Sequence, residues 1–130
     1  SQMAEGFTRS MLEMEDCIIG SAGIKPDGLN QNAVQVMLEL GVDISSHKSK
    51  SISSIDINDF DLIVTVCDNA HKHCPIVVGK KVLHKNFHDP ALAKGPLEEQ
   101  LKLYRMVRDE IKKEITYILK NYDNICQEPS

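Results

Sequence analysis

One stretch decides the fold of this chain: Asp61-Leu-Ile-Val-Thr-Val-Cys67-Asp-Asn-Ala-His-Lys-His-Cys74-Pro75. Its first half, Leu62 to Val66, is apolar, rich in β-branched residues and bounded by polar ones. That pattern predicts a strand buried on both faces of a sheet. Cys67 then lies at the carboxyl end of a core strand, where open α/β sheets place their ligand crevices. The stretch therefore predicts an α/β fold with a thiol at the ligand-binding edge of the sheet.

The same stretch carries a second thiol, Cys74, seven residues after Cys67. If residues 67–74 are helical, the two Cα atoms are about 10 Å apart. A disulfide needs Cα atoms within roughly 7 Å of each other. The two cysteines can then form a disulfide only if the segment unwinds, which indicates a redox switch rather than a structural cross-link.

A zinc site is the alternative interpretation of the stretch, because it also contains His71 and His73. Structural zinc sites normally use two separated pairs of ligands. Cys-x3-His-x-His-Cys packs its four ligands into one short segment and fits a tetrahedron poorly. No metal is therefore expected here.

Residue periodicity predicts helices and strands on both sides of this stretch. The predicted elements are a helix at Met3–Met11, a short strand at Cys17–Gly23, a helix at Asn30–Leu40 that Gly41 ends, a strand or extended link at Val42–Ile44, a helical turn within 55–60, a strand at Val82–Phe87 and a helix at Leu97–Asn121. The tail Asp123–Ser130 is expected to fray. Strands alternating with helices predict a three-layer α/β sandwich with a small parallel sheet.

Length and composition narrow the class of protein further. The 130 residues suit a single domain, 1–130, and the net charge of −4 provides no basic face for nucleic acid. No apolar run approaches the roughly 18–20 residues of a membrane span, so a cytoplasmic protein is expected, and we expect a monomer. Four cysteines in such a chain favour free or reactive thiols over a disulfide framework. Cys17 and Cys126 are interpreted as bystanders.

Seven short stretches occur in the order found in one known family, and they cover essentially the whole chain. They are Ser1-Gln-Met-Ala-Glu-Gly6, Ser21-Ala-Gly-Ile24, Asn32-Ala33, Gly41-Val-Asp-Ile-Ser45, Asp61 to Pro75, Phe87 to Ala91 and Arg105-Met-Val-Arg-Asp-Glu110. With these stretches the chain resembles the thioredoxin-coupled arsenate reductases, which have the low-molecular-weight tyrosine phosphatase fold. The resemblance implies reduction of arsenate to arsenite, with thioredoxin as electron donor and no bound cofactor.

The resemblance also implies roles for individual residues. A first cysteine attacks arsenate, Cys67 attacks that arseno-cysteine, and Cys74 resolves the product as a Cys67–Cys74 disulfide that thioredoxin reduces. Asp89, in the family's Asp-Pro pair, corresponds to the general acid of the phosphatases. Those acting on phosphotyrosine carry an aromatic residue after this pair, whereas this chain has Ala91. A small oxyanion is therefore the expected substrate.

The chain departs from the family at its start. In the family, Ser1 would directly follow a strand and a Cys-x5-Arg phosphate loop, and its hydroxyl would hydrogen-bond the nucleophilic thiolate. The printed sequence contains neither that strand nor that loop. We expect an N-terminally incomplete sequence whose printed residues do not reduce arsenate by themselves.

A potassium site of some family members is also altered. Glu5 and Ser21 match two of its positions, but the third position, an acid in those members, is Lys50 here. An ammonium group cannot ligate a cation, so no potassium dependence is expected. Two other functions stay open at this point: a low-molecular-weight tyrosine phosphatase with an incidental cysteine pair, and an inactive binding remnant of the same fold.

Overall fold

The computed structural model describes residues 2–12, 30–47, 56, 59–67, 81–87, 90 and 94–127. In this part of the chain the elements, in order, are α1 (Gln2–Met11), α2 (Gln31–Leu38), β1 (Leu62–Cys67), β2 (Lys81–Asn86), α3 (Leu97–Lys120) and α4 (Tyr122–Gln127). These elements confirm the three longer predicted helices, Met3–Met11, Asn30–Leu40 and Leu97–Asn121, and the predicted strands Leu62–Val66 and Val82–Phe87. The strand predicted at Cys17–Gly23 lies outside the described residues.

The two strands form a parallel pair. Their register runs from Leu62 opposite Lys81 to Cys67 opposite Asn86. Parallel neighbours joined by a crossover are the arrangement expected of an α/β sheet. Burial on both faces was predicted for β1, but Leu62 to Val64 are only half-buried, and Thr65 is the strand's buried residue among those described.

The core joins α1, α2 and α3 through one continuous set of apolar side chains. Its most deeply buried members are Val36, Met37 and Ile44, all with 0% exposure, followed by Val107, Leu101 and Phe7. Along α3 the buried residues recur at helical spacing, because only one face of the helix packs against α1 and α2. The long helix α3 therefore holds α1 and α2 together.

Both ends of α2 follow from local sequence. The side chain of Asn30 caps the start by accepting hydrogen bonds from the backbone N–H groups of Asn32 and Ala33, at 2.9 and 3.2 Å. Gly41 has a φ of 77°, which glycine adopts without steric cost and which turns the chain out of the helix. The predicted stop at Gly41 is confirmed, although regular helix ends at Leu38.

Two sequence predictions need correction. Met11, placed on the apolar stripe of α1, is 37% exposed because it lies in the last turn. Of the two possibilities predicted for residues 42–44, a strand or an extended link, the structure has the extended link. The tail predicted to fray contains α4, whose Ile125 is 6% exposed and anchors the helix in the core.

Candidate active site

The candidate site lies where the two parallel strands end. Cys67 is the last residue of β1, as the sequence predicts, and its register partner Asn86 is the last residue of β2. The carboxyl ends of parallel strands meet at one edge of the sheet, where ligands bind in open α/β folds. Asp89 follows Asn86 by three residues along the chain. The predicted site residues Cys74, Asp89 and Ser1 lie outside the described residues.

A hydrogen-bonded pair that the sequence analysis missed involves Thr65, two residues before Cys67 on β1. The hydroxyl of Thr65, whose residue is 8% exposed, contacts Nδ1 of His84 on β2 and lies 3.4 Å from the backbone oxygen of Leu83. Thr65 is the only residue of Leu62–Val66 with a polar side chain. That interruption of an apolar strand was the available signal, because a buried hydroxyl needs a partner.

Helix α1 carries a buried carboxylate close to its start. Glu5 is 8% exposed, and its Oε2 accepts a hydrogen bond from Nε of Arg9 at 3.1 Å. Nδ1 of His47 lies 3.3 Å from the same oxygen. This approach lacks hydrogen-bond geometry, yet it pairs opposite charges whenever the imidazole is protonated. Of the three positions matched to a potassium site, only Glu5 is described, and its carboxylate is flanked by these two side chains.

The segment that brings His47 to Glu5 is held by a local carboxylate. Oδ1 of Asp43 accepts a hydrogen bond from the backbone N–H of Ser45 at 2.9 Å. The pKa of Asp43 lies below its ordinary value because Ser45 donates to it from its side chain and its backbone, with a smaller contribution from His47. The charged form of Asp43 therefore favours the turn that precedes His47.

The stretch Arg105–Glu110, one of those that carry the family resemblance, lies on α3, and its two arginines contact the end of α2. Nε of Arg105 donates to both carboxylate oxygens of Glu39, at 3.0 and 3.2 Å, and Nη2 donates to Oε2 at 2.8 Å. Nη1 of Arg108 donates to Glu39 and to the backbone oxygen of Val36, each at 2.9 Å. The hydrogen bonds from Arg105, followed by those from Arg108, lower the pKa of Glu39. This cluster joins two helices and contributes to the fold.

Among the residues that the structure describes, no three histidine, cysteine or acidic side chains are grouped so that they could hold a metal ion. Within the same residues, no helix is both long enough and apolar enough to cross a membrane. The histidines and the second cysteine of the alternative zinc interpretation, His71, His73 and Cys74, lie outside the described part.

Comparison with known proteins gives one consistent result. The family described as "Low molecular weight phosphotyrosine protein phosphatase" matches residues 1–127. The chain is 45% identical over 112 residues to an arsenate reductase of Bacillus subtilis, an alignment that covers 85% of this chain and 80% of that protein. It is 41% identical over 116 residues to arsenate reductase 1 of Staphylococcus haemolyticus, covering 88% of this chain and 82% of that one.

Solved structures agree with the fold. An arsenate reductase in the oxidized state superposes with a TM-score of 0.75 at 24% identity, covering 93% of this chain and 88% of the other. One in the reduced state gives a TM-score of 0.72 at 25% identity over the same shares. These likenesses support the α/β architecture with its small parallel sheet.

Proposed function

The chain belongs to the low molecular weight phosphotyrosine protein phosphatase family, and we propose that within this family it is an arsenate reductase with a cysteine cascade. The observation that carries the proposal is the position of Cys67 at the carboxyl end of β1, with Cys74 seven residues later. The similar proteins from Bacillus and Staphylococcus, all named arsenate reductases, support the same reaction.

The proposed reaction transfers two electrons from thiols to arsenic. A cysteine of a Cys-x5-Arg loop, expected to precede Ser1, forms a sulfur–arsenic bond with arsenate. The thiolate of Cys67 attacks that sulfur, so that a disulfide forms and the sulfur–arsenic bond breaks with its electron pair left on arsenic, giving arsenite. Cys74 then attacks Cys67, releases the first cysteine and leaves a Cys67–Cys74 disulfide. Thioredoxin reduces this disulfide by thiol exchange.

Two further residues have supporting roles in the proposal. Asp89, held before Pro90, protonates the departing oxygen of arsenate when the first sulfur–arsenic bond forms. The hydroxyl of Ser1 hydrogen-bonds the first thiolate and favours its ionised form. We place the reaction in the cytoplasm, where thioredoxin keeps thiols reduced, and we propose a monomer as the acting unit.

Activity measurements on a chain that carries a Cys-x5-Arg loop before Ser1 test the proposal. With thioredoxin, its reductase and NADPH, arsenate should be reduced over many turnovers. Cys67→Ser and Cys74→Ser should each abolish turnover, whereas Cys17→Ser and Cys126→Ser should leave it near the parent rate. The printed residues without the loop should be inactive.

An assay of aryl phosphate hydrolysis by the same loop-bearing chain distinguishes an arsenate reductase from a phosphatase. Ala91 follows the Asp-Pro pair in place of an aromatic residue, so hydrolysis of an aryl phosphate should be slow. Rapid aryl phosphate hydrolysis that is unaffected by Cys67→Ser, together with no arsenate turnover, would contradict the proposal.

A further inference from the structure

His84 lies next to the end of the strand that carries Cys67. It is exposed, and it is the register partner of Thr65 on the neighbouring strand. The contact between the Thr65 hydroxyl and Nδ1 of His84 shows that these two side chains share one face of the sheet. Cys67 follows Thr65 by two positions, and positions two apart in a strand belong to the same face. His84 and position 67 therefore belong to the same face of the strand pair, with His84 two residues before the end of β2.

The spacing brings His84 within reach of position 67. Neighbouring strands are about 4.8 Å apart and each residue rises about 3.3 Å, so the Cα atoms of residues 67 and 84 are roughly 8 Å apart on the diagonal. This backbone spacing is compatible with proton transfer between positions 84 and 67, direct or through one bridging water.

Thr65 fixes the ring without fixing its protonation state. A hydroxyl carries one proton and can also accept. When the Thr65 hydroxyl donates to the backbone oxygen of Leu83, it accepts from an Nδ1–H of His84; when Nδ1 carries no proton, the hydroxyl donates to it. The ring is held by Nδ1 in both states, and Nε2 is the nitrogen left to exchange a proton.

We propose that His84 accepts the proton of the Cys67 thiol, and that Thr65 positions its ring for that transfer. The S–H bond of Cys67 breaks and an N–H bond forms at Nε2, leaving a thiolate beside an imidazolium. A neighbouring imidazolium stabilises a thiolate, which is the form that attacks sulfur. The inference rests on the proposed function and deepens the role of Cys67 within it.

The other charged groups on these two strands are accounted for among the described residues. Lys85 is paired with Glu114 of α3 at 3.2 Å. Asp61 and Lys81 lie at the opposite end of the strand pair, because Leu62 is opposite Lys81 and Cys67 is opposite Asn86. His84 is therefore the titratable side chain of β2 that the Thr65 contact turns toward the face of Cys67.

The rate of Cys67 alkylation by iodoacetamide, followed by peptide mass spectrometry from pH 5 to 10, tests the inference. His84→Gln should slow alkylation about tenfold at pH 7 and move the midpoint of the pH profile up by about one unit, since the thiolate fraction changes tenfold per unit. Thr65→Val should act in the same direction, whereas Thr65→Ser should behave like the parent protein. Lys85→Gln, a change of the adjacent β2 residue, is the matched control and should leave the profile unchanged.

Two results would overturn the inference. One is a folded His84→Gln protein whose alkylation rate and midpoint match those of the parent; the other is an equal shift in the Lys85→Gln control. If His84→Gln does not fold, the Thr65→Val and Thr65→Ser pair decides, and equal profiles for these two variants would overturn it. Alkylation requires neither arsenate nor thioredoxin, so failure here leaves arsenate turnover as a separate result.

Discussion

Gly6 is the residue at which α1 comes closest to the rest of the core. A Cβ built on Gly6 would lie 2.6 Å from Cγ2 of Ile44, 3.1 Å from Cε of Met37 and 3.3 Å from Cγ1 of Val42. Ile44 and Met37 are fully buried, and protein interiors are close-packed, so making room for a Cβ costs energy. The absence of a side chain therefore permits α1 to pack against the link after α2, which also carries His47.

Replacing Gly6 with alanine should destabilise the fold even though alanine favours helix. Overpacking costs about 1 to 3 kcal/mol, whereas the helical preference of alanine over glycine returns about 1 kcal/mol at most. We expect a net loss of about 1 to 2 kcal/mol in the free energy of unfolding, measured by urea denaturation. Ser10→Ala, at an exposed position of the same helix, is the control and should be neutral or slightly stabilising. A Gly6→Ala protein as stable as the parent would show that the close contact is absent.

At the scale of elements, α2 depends on α3 to satisfy its last turn. The backbone oxygens of Gln35, Met37 and Leu38 accept hydrogen bonds from N–H groups of residues 39–42. The oxygen of Val36 instead accepts from Arg108 of α3, at 2.9 Å and in a buried position. Carbonyl groups at a helix end need such partners, so a side chain of one helix terminates the other.

Arg108→Met should therefore destabilise the protein more than Arg105→Met does. Methionine keeps the apolar stem but leaves the Val36 oxygen buried and unpaired, which costs about 2 kcal/mol. Arg105 is about one-third exposed, and its ion pair with Glu39 is screened by water. Chemical denaturation of the two variants measures the difference. An equal loss for both would contradict the separate role of Arg108.

The Glu39 cluster should make stability depend on pH in the acid range. Hydrogen bonds from Arg105 and then Arg108 lower the pKa of Glu39 in the folded state. The stability it contributes is complete above the ordinary carboxyl pKa, about 4.3, and is lost as the pH falls through the lowered folded value. The difference in Tm between the parent protein and Glu39→Gln should thus be largest at neutral pH and shrink below about pH 4. Glu110→Gln, at an exposed position of α3, should show no such trend, and a constant difference for Glu39→Gln would contradict the assignment.

At the scale of the whole molecule, periodicity in the sequence predicted most of the described elements. The apolar spacing along Leu97–Asn121 was sufficient for α3, since one face of a long helix must be buried. The same argument failed for Met11, because periodicity does not show where the packing partner ends. It missed α4, in which Ile125 is the buried residue among the side chains described, because one such position gives no repeating pattern.

The candidate site was predicted only in part, for a physical reason. The apolar run and the cysteine that ends it are contiguous in the sequence, so the sequence alone was enough to place Cys67 at the end of β1. The pair of Thr65 and His84 joins positions 19 residues apart, and only the register of two parallel strands brings them together. Cys74, Asp89 and Ser1 lie outside the described residues, and their roles stay predictions.

In the proposed reaction, electrons reach arsenate through Cys67 and Cys74. A single-turnover experiment follows this path directly. A reduced chain carrying the Cys-x5-Arg loop is mixed with arsenate in the absence of thioredoxin, quenched by alkylation and mapped by mass spectrometry, while arsenite is quantified. We expect one Cys67–Cys74 disulfide for each arsenite formed, and neither product in Cys67→Ser. Arsenite formed without this disulfide, or with a disulfide that involves Cys17 or Cys126, would contradict the proposed reaction.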